Sequence, residues 1–371
     1  MLKDRRIVLG VTGGIAAYKA AELVRELVRR GAKVRVVMTD HACKFVTPLT
    51  FETLSGNPVA TDLFWVPGDF EIGHIALAEF AELVVIAPAT ANIIGKMAAG
   101  LADDLLTTVL LATEAPVLIC PAMNAKMYTN SVVKENLARL ALRGHMILEP
   151  GYGELACRVE GQGRLAEPSE IAEEIESILT PKNLQGEHIL VTAGPTQEPF
   201  DPVRFISNYS SGKMGYALAV MARRRGAAVT LVSGPTALPA PRGVAFVPVR
   251  TAVEMRDAVL ANLKEATVVV KAAAVADYRP AVCEPVKIKK KEASLTVHLE
   301  RNPDIISEIA SRKGDRIVVG FSMESDHLLE HARKKLMEKG VDFIVANDVT
   351  EPGAGFRGDT NVISILDREG G

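Results

Sequence analysis

An α/β fold made of two doubly wound, mainly parallel, Rossmann-like sheets in tandem is predicted by three observations. Short apolar runs alternate with amphipathic stretches, the alternation stops and restarts once near the middle, and each half opens with a strand leading through a glycine-bearing loop into a helix. The length of 371 residues exceeds what one hydrophobic core usually serves and divides into two domains of about 180 residues. The chain is 48% apolar but only 5% aromatic, the aliphatic bias expected of strands covered on both faces.

In the first half the strand candidates are IVLGV at 7–11, VRVVM at 34–38, LVVIA at 83–87 and VLIC at 117–120. Between the first two, residues 16–30 place Ala20, Leu23 or Val24, Leu27 and Val28 on one helical stripe that ends at Gly31. The pattern restarts with ILVTAG at 189–194, a helix near 213–225, VTLVS at 229–233, TVVVKAAA at 267–274, IVVGF at 317–321 and FIVAND at 343–348. Residues 168–179 form an amphipathic run, and the turn-rich TPKNLQG that follows places the boundary near 180–186, giving domains 1–182 and 183–371. Ahead of that boundary, PGYGELACRVEGQGRLAEP at 150–168 has four glycines and no period, which predicts a long functional loop.

Bulk properties exclude several classes. A net charge of −2 gives no global field for nucleic acid or an anionic membrane. The four cysteines, Cys43, Cys120, Cys157 and Cys283, stand far apart without a C-x-x-C pair, against a disulfide scaffold or zinc site and in favour of a reducing compartment. No stretch reaches the ~18 apolar residues of a membrane span, so a cytoplasmic location is expected.

In GVTGGIAAYKA the glycines lie between a strand and a helix, where backbone N–H groups and the helix dipole can receive a phosphate. Gly13 and Gly14 are the expected contacts. Gly10 is followed by Val11, Thr12 and only then Gly13, so the dinucleotide fingerprint is absent and a mononucleotide such as FMN suits the turn better than NAD. The same half holds Gly73-His74-Ile75, APATAN at 87–92, KMAAGLADDLL at 96–106 and PAMNAKMY at 121–128, each after a strand or opening a helix. Segments so placed converge at the carboxyl ends of parallel strands. Singly, His74 reads as a satisfied structural group, Asn124 as a helix cap and Cys157 as an inert thiol.

Together, PAMNAKMY resembles the P-x-M-N-x-x-M motif of flavin-dependent cysteine decarboxylases, APATAN is similar to their PASANT segment, and ACRVEGQGRLAEP resembles the flap carrying their reactive cysteine. Arg158 departs from the glycine expected after that cysteine. The resemblance implies that flavin oxidises the substrate thiol to a thioaldehyde, after which carbon dioxide leaves and the enethiolate is reduced. It implies His74 as the base for thiol oxidation, a role suited to histidine near neutral pH. Asn124 would hold the substrate carboxylate, Met127 would contact substrate, and Cys157 would return a proton to carbon from a lid that excludes water. Gly13, Gly14, Ile15, Thr39, Thr90, Asn92 and Asp103 would hold FMN.

The second half opens with TAGPTQEPFDPVRFISNYSSGKMGYALA, a strand, a polar loop and a helix starting near Lys213. A phosphate-binding P-loop is rejected, because Ser207 stands where its first glycine is required and Met214 follows the lysine. Asn302-Pro303 predicts a helix cap and first helical residue. Lys287-Ile288-Lys289-Lys290-Lys291 by itself reads as a solvated edge. With GPTQEPFDPVRFISNYSSGKMG, AAAVADY, K-x-K-K at 287–290, RNPDI and the later GF, however, this half resembles bacterial phosphopantothenate-cysteine ligases. Over nearly its whole length the chain thus resembles the bifunctional phosphopantothenoylcysteine decarboxylase/phosphopantothenate-cysteine ligase family of coenzyme A synthesis.

That resemblance implies CTP and Mg²⁺, an acyl cytidylate, and displacement of CMP by the cysteine nitrogen. Asn208 and Arg204 would orient phosphopantothenate, and Lys287 would neutralise the acyl phosphate during transfer. Ala273, Ala274, Asp277, Lys287, Pro303, Asp304, Ile305, Ile306, Phe321, Lys335 and Lys339 would hold CTP, with Asp277 also facing Mg²⁺. Lys335 and Lys339 are four apart and share a helix face. The resemblance further implies homo-oligomers, with decarboxylase trimers assembled to dodecamers and ligase dimers, and a strand and helix beyond NVISILDREGG, so the end reads as a truncation. Rival readings are a peptidyl-cysteine decarboxylase with an unrelated nucleotide-binding domain, which the ligase motifs oppose, and a non-catalytic flavin-binding regulator, which Asn124 and Cys157 oppose.

Overall fold

The computed structural model describes residues 2–64, 72–156, 159–289, 295–324, 328–348 and 360–369. It divides into two compact units, Met1–Thr180 and Pro181–Gly371. Both are α/β units built on one main sheet.

The sheet of the first unit contains β1 (Arg6–Val11), β2 (Lys33–Met38), β3 (Leu83–Ala89), β4 (Val117–Pro121) and β5 (Met146–Ile147). Their order is β2-β1-β3-β4-β5 and every pairing is parallel. Such a sheet is sandwiched, so residues on both faces of its strands are apolar. Leu83, Val85 and Ala87 of β3 enter one core cluster, while Val84, Ile86 and Ala89 enter the other. The helix Ala17–Arg29 covers the first face with Ala17, Ala20, Leu23, Val24 and Leu27. Val28, expected on that stripe, is 37% exposed; at 100° per residue it is rotated from Leu27 toward the rim.

Residues 150–168, expected as a loop, instead hold an antiparallel pair, β6 (Gly151–Glu154) and β7 (Glu160–Arg164). The lack of period misled because its glycines serve close packing. A Cβ on Gly161 would lie 2.6 Å from Ala125 Cβ, and one on Gly163 would lie 2.2 Å from the Met123 carbonyl oxygen. Cys157 and Arg158 lie outside the described residues.

In the second unit the strands are β8 (His188–Ala193), β9 (Gln197–Pro199), β10 (Phe205–Ser207), β11 (Ala228–Ser233), β12 (Ala245–Pro248), β13 (Val268–Lys271), β14 (Tyr278–Pro280), β15 (Leu299–Arg301), β16 (Ile317–Glu324), β17 (Phe343–Asp348) and β18 (Ile363–Asp367). The main sheet has the order β12-β11-β8-β13-β16-β17-β18, with only β18 antiparallel. Pairs β9–β10 and β14–β15 form separate antiparallel ribbons. Strand β13 stops at Lys271, three residues before the apolar run ends, because the following backbone turns to meet β8: Ala274 N–H donates to the Gly194 carbonyl at 3.0 Å. The expected cap Asn302 is instead a buried bracket, and Asp304 caps the helix Ile305–Ser311. Its side chain suits both positions; the fold decided between them.

Candidate functional site

Each unit has a cleft at the carboxyl ends of its parallel strands, where the strand order reverses in the first and beside that point in the second. In the first unit, β1 and β3 are adjacent, and the turns that leave them face each other. Thr12 stitches the two turns together: its hydroxyl donates to the Pro88 carbonyl at 2.6 Å and accepts from Thr90 N–H at 3.1 Å. Thr90 caps the helix Ala91–Ala99, and Thr39 caps Asp40–Cys43 by accepting from Ala42 N–H at 3.3 Å. Two capping threonines thus bring two helix N-termini to one place.

The cleft is about 640 Å³. Of the expected flavin contacts it is lined by Gly13, Gly14, Thr39, Thr90, Asn92 and Asp103, and Met127 joins them. Any Cβ on Gly13 would sit 2.3 Å from His41 Cβ, so only bare backbone fits there. Lys96 enters the lining and pairs with both Asp103 at 2.8 Å and Asp104 at 3.0 Å. The hydrogen bond that Lys96 donates to Asp103 leads the effects that hold its ammonium above the usual lysine range. Burial pushes Asp104 up, but bonds from Thr107 and Lys96 outweigh it and leave the carboxyl below the ordinary range.

Ile15, 60% exposed, stands outside this lining, as do His74 and Asn124 among the described residues. His74 occupies the first turn of the helix Gly73–Phe80. Asn124 caps the helix Ala125–Tyr128, its Oδ1 accepting from Lys126 N–H at 2.9 Å. Tyr128, fully buried, donates a short hydrogen bond to Glu149 Oε2, which also accepts from Gln162 of β7 at 3.4 Å. The Asn124 helix and strand β7 are therefore tied together through Glu149. His41 was missed in sequence because it belongs to no glycine turn, and only its place just after β2 could have flagged it; Lys96 and Asp104 lie in the segment 96–106 already expected at the strand ends but were not singled out.

In the second unit, the cleft of about 580 Å³ lies past β13 and β16. It gathers the expected Asp277, Pro303, Asp304, Ile305, Ile306, Phe321, Lys335 and Lys339. Buried Asn302 holds the two sides in register, donating from Nδ2 to the Ala276 carbonyl and from its backbone N–H to the Asp277 carbonyl, both at 2.8 Å. Lys339 pairs with Asp304, and Lys335 donates to Ser322 Oγ at 3.1 Å. Burial raises the Asp304 carboxyl, yet Lys339 and Ser307 overcome it and keep the group below its usual range.

Lys271 and Arg301, not anticipated, complete the cationic lining. Lys271 ends a valine-rich strand and is half-buried; burial pulls its ammonium below the usual lysine range against the attraction of Asp304 and Asp277. Ala273 and Ala274 stand beside this lining, and Asn208 Nδ2 donates to the Ala274 carbonyl at 2.9 Å. Arg204 pairs with Asp201, and Lys287 is exposed. Lys290 and Lys291 lie outside the described residues. No group of three His, Cys, Asp or Glu suited to a metal occurs among the described residues.

Two tandem doubly wound units with such clefts define the class: a two-domain protein of the flavoprotein type. Residues 1–180 match the family described as Flavoprotein, and residues 184–371 match the DNA/pantothenate metabolism flavoprotein C-terminal domain. The chain is 48% identical to the coenzyme A biosynthesis bifunctional protein CoaBC of Bacillus subtilis strain 168, over 100% of this chain and 92% of that protein. Identity and both coverages are the same for the protein of that name from Escherichia coli K12. A crystal structure of the C-terminal domain of a CoaBC protein shares 42% identity over 51% of this chain and 86% of its own, with a TM-score of 0.44. The chain belongs to the family of bifunctional coenzyme A biosynthesis proteins, and it is an enzyme. No helix of the described residues is long and apolar enough to cross a membrane.

Proposed function

We propose that the second unit joins 4'-phosphopantothenate to cysteine at the expense of CTP, and that the first unit decarboxylates the resulting 4'-phosphopantothenoylcysteine to 4'-phosphopantetheine with FMN. The observation that carries this reading is the gathering of eight expected nucleotide contacts around the cationic cleft of the second unit, together with a cleft in the first unit where only bare backbone fits at Gly13.

A free carboxylate is a poor acyl donor, since its leaving group would be oxide. Joining it to the CTP α-phosphorus releases pyrophosphate and gives an acyl cytidylate, from which the cysteine nitrogen displaces CMP. Lys271, Arg301, Lys335 and Lys339 are suited to the phosphates and Phe321 to the base face. Mg²⁺ would be held chiefly by those phosphates with Asp277, the usual manner for this ion. Asn208 would orient the acid, and Lys287 would offset charge on the acyl phosphate.

In the first unit Gly13 and Gly14 would hold the FMN phosphate on backbone N–H groups, with Thr39, Thr90, Asn92 and Asp103 around the rest. When bound, flavin supplies a two-electron acceptor and donor, which makes the cysteinyl carboxylate able to leave as carbon dioxide. Asn124 would hold that carboxylate, His74 would take the thiol proton, and Cys157 would deliver a proton to carbon. His74 and Asn124 stand outside the cleft lining of their own chain, which favours a homo-oligomer in which copies complete one another's sites. We place the enzyme in the cytoplasm.

The test is the spectrum of the purified full chain followed by two assays. Visible flavin absorption, carbon dioxide from phosphopantothenoylcysteine, and CTP-dependent pyrophosphate release with phosphopantothenate are expected. A colourless protein that cannot be reconstituted with FMN would overturn the first half, and indifference to CTP the second.

A further inference from the structure

The loop between β9 and β10 carries a buried carboxylate whose partners lie partly outside that loop. Asp201 is 1% exposed. Its Oδ1 accepts from the N–H groups of Val203 and Arg204, each at 2.8 Å. Its Oδ2 accepts from Arg204 Nε at 2.9 Å, from Arg204 Nη2 at 2.5 Å, and from the backbone N–H of Ile288 at 3.2 Å. The same Arg204 Nη2 donates to the Ile288 carbonyl at 3.0 Å. A second strap runs nearby, with Glu284 N–H donating to the Phe200 carbonyl at 3.0 Å.

A carboxylate removed from water needs this many donors to remain charged. The Arg204 bond leads the effects holding it well below the usual carboxylate range. Only Val203 and Arg204 are needed to close the turn. The remaining two bonds take both backbone hydrogen-bonding groups of one distant residue, the isoleucine between Lys287 and Lys289. Lys287 is exposed, and within the described residues it has no side-chain hydrogen bond or ion pair of its own. The peptide group that joins it to Ile288, by contrast, is held through its N–H.

We propose that Asp201 is a positioning residue for amide formation: with Arg204 it grips both peptide groups of Ile288 and so holds Lys287 where the acyl phosphate is displaced. This rests on the role proposed above for Lys287. Arg204, expected to bind substrate, is on this account the second jaw of the clamp.

The half-reactions separate a clamp from a mere turn brace. Pyrophosphate, CMP and amide are followed with the full chain, phosphopantothenate, CTP, Mg²⁺ and cysteine. In a single turnover, Asp201→Asn should release pyrophosphate at the wild-type rate while amide formation falls about 10- to 100-fold, the scale of a misplaced catalytic group. Ile288→Pro deletes the gripped N–H and leaves the turn intact, so the proposal stays testable if the first variant folds poorly; it should give the same split. Asp201→Asn combined with Lys287→Gln should be no slower than Lys287→Gln alone, because the carboxylate acts only through that lysine. Trypsin should cut after Lys287 faster in Asp201→Asn than in wild type. Multiplying defects in the double variant, equal loss of both half-reactions, or unchanged trypsin cleavage would each overturn the clamp. Wild-type amide formation by Lys287→Gln would sink the underlying role, whereas normal amide formation by Asp201→Asn beside an impaired Lys287→Gln would sink this inference alone.

Discussion

The two clefts occupy comparable positions on comparable sheets, yet their charge is opposite. Around the first, Lys96 faces Asp40, Asp103 and Asp104; around the second, Lys271, Arg301, Lys335 and Lys339 face Asp277 and Asp304. A phosphate entering the first must rely on bare N–H groups and helix ends, because the one lysine among the described lining residues is already engaged by two carboxylates. A triphosphate entering the second meets side-chain cations. On the proposed function, the fold supplies the location and the loops would supply the ligand class: a monophosphate cofactor that stays, or a polyphosphate that must come and go.

The most severe way to break this contrast is Gly13→Ala. The new Cβ would meet His41 at 2.3 Å, and overpacking of that kind costs about 1–3 kcal/mol. The variant should purify without flavin while CTP-dependent pyrophosphate release continues; retained visible absorption would refute the bare-backbone cradle. Next in size is Asn124→Asp, which sets a carboxylate against the substrate's own. Like charges about 4 Å apart at an effective dielectric of 20 repel by about 4 kcal/mol, so carbon dioxide release should fall roughly a thousandfold. Full decarboxylation by this variant would remove Asn124 from carboxylate binding.

Lys271→Met probes the second cleft more gently. Losing one charge-assisted contact should weaken CTP binding about tenfold, read by calorimetry. Removing a half-buried ammonium should also raise the melting midpoint of this unit by about 2–4 °C, the equivalent of about 1 kcal/mol. The sign of the pH effect follows from the lowered folded-state value. Between it and the ordinary lysine value of about 10.4 the unfolded chain binds more protons, so stability rises with pH in that window. Lys271→Met should flatten that rise, and wild-type CTP affinity should fall across the same window. Equal slopes in the two proteins would contradict the assignment. The smallest expected effect is that of salt. From 0.05 to about 0.5 M the screening length shortens several-fold, so CTP affinity should drop while flavin retention changes little; parallel losses would erase the distinction between the clefts.

Much of this was legible in the residues. The apolar runs located the long strands because a strand buried on both faces leaves no room for polar side chains, and the i, i+4 spacing of Lys335 and Lys339 correctly put them on one helix face toward one cleft. The ribbon at 151–164 was not legible, since glycines selected for contact with Met123 and Ala125 look like a structureless loop until those partners are known.

By itself, then, the sequence determined what depends on near neighbours: the strand and helix periods, the two units, the glycine turn, and the motifs that carry the resemblance. Only the tertiary structure decided what depends on residues far apart in the chain. It brought Lys271 to the second cleft, turned Asn302 from a cap into a bracket, and set Asp201 against Ile288, 87 positions away. The physical reason is that a side chain's partner is chosen by the space and desolvation it meets after folding, and neither has a local signature.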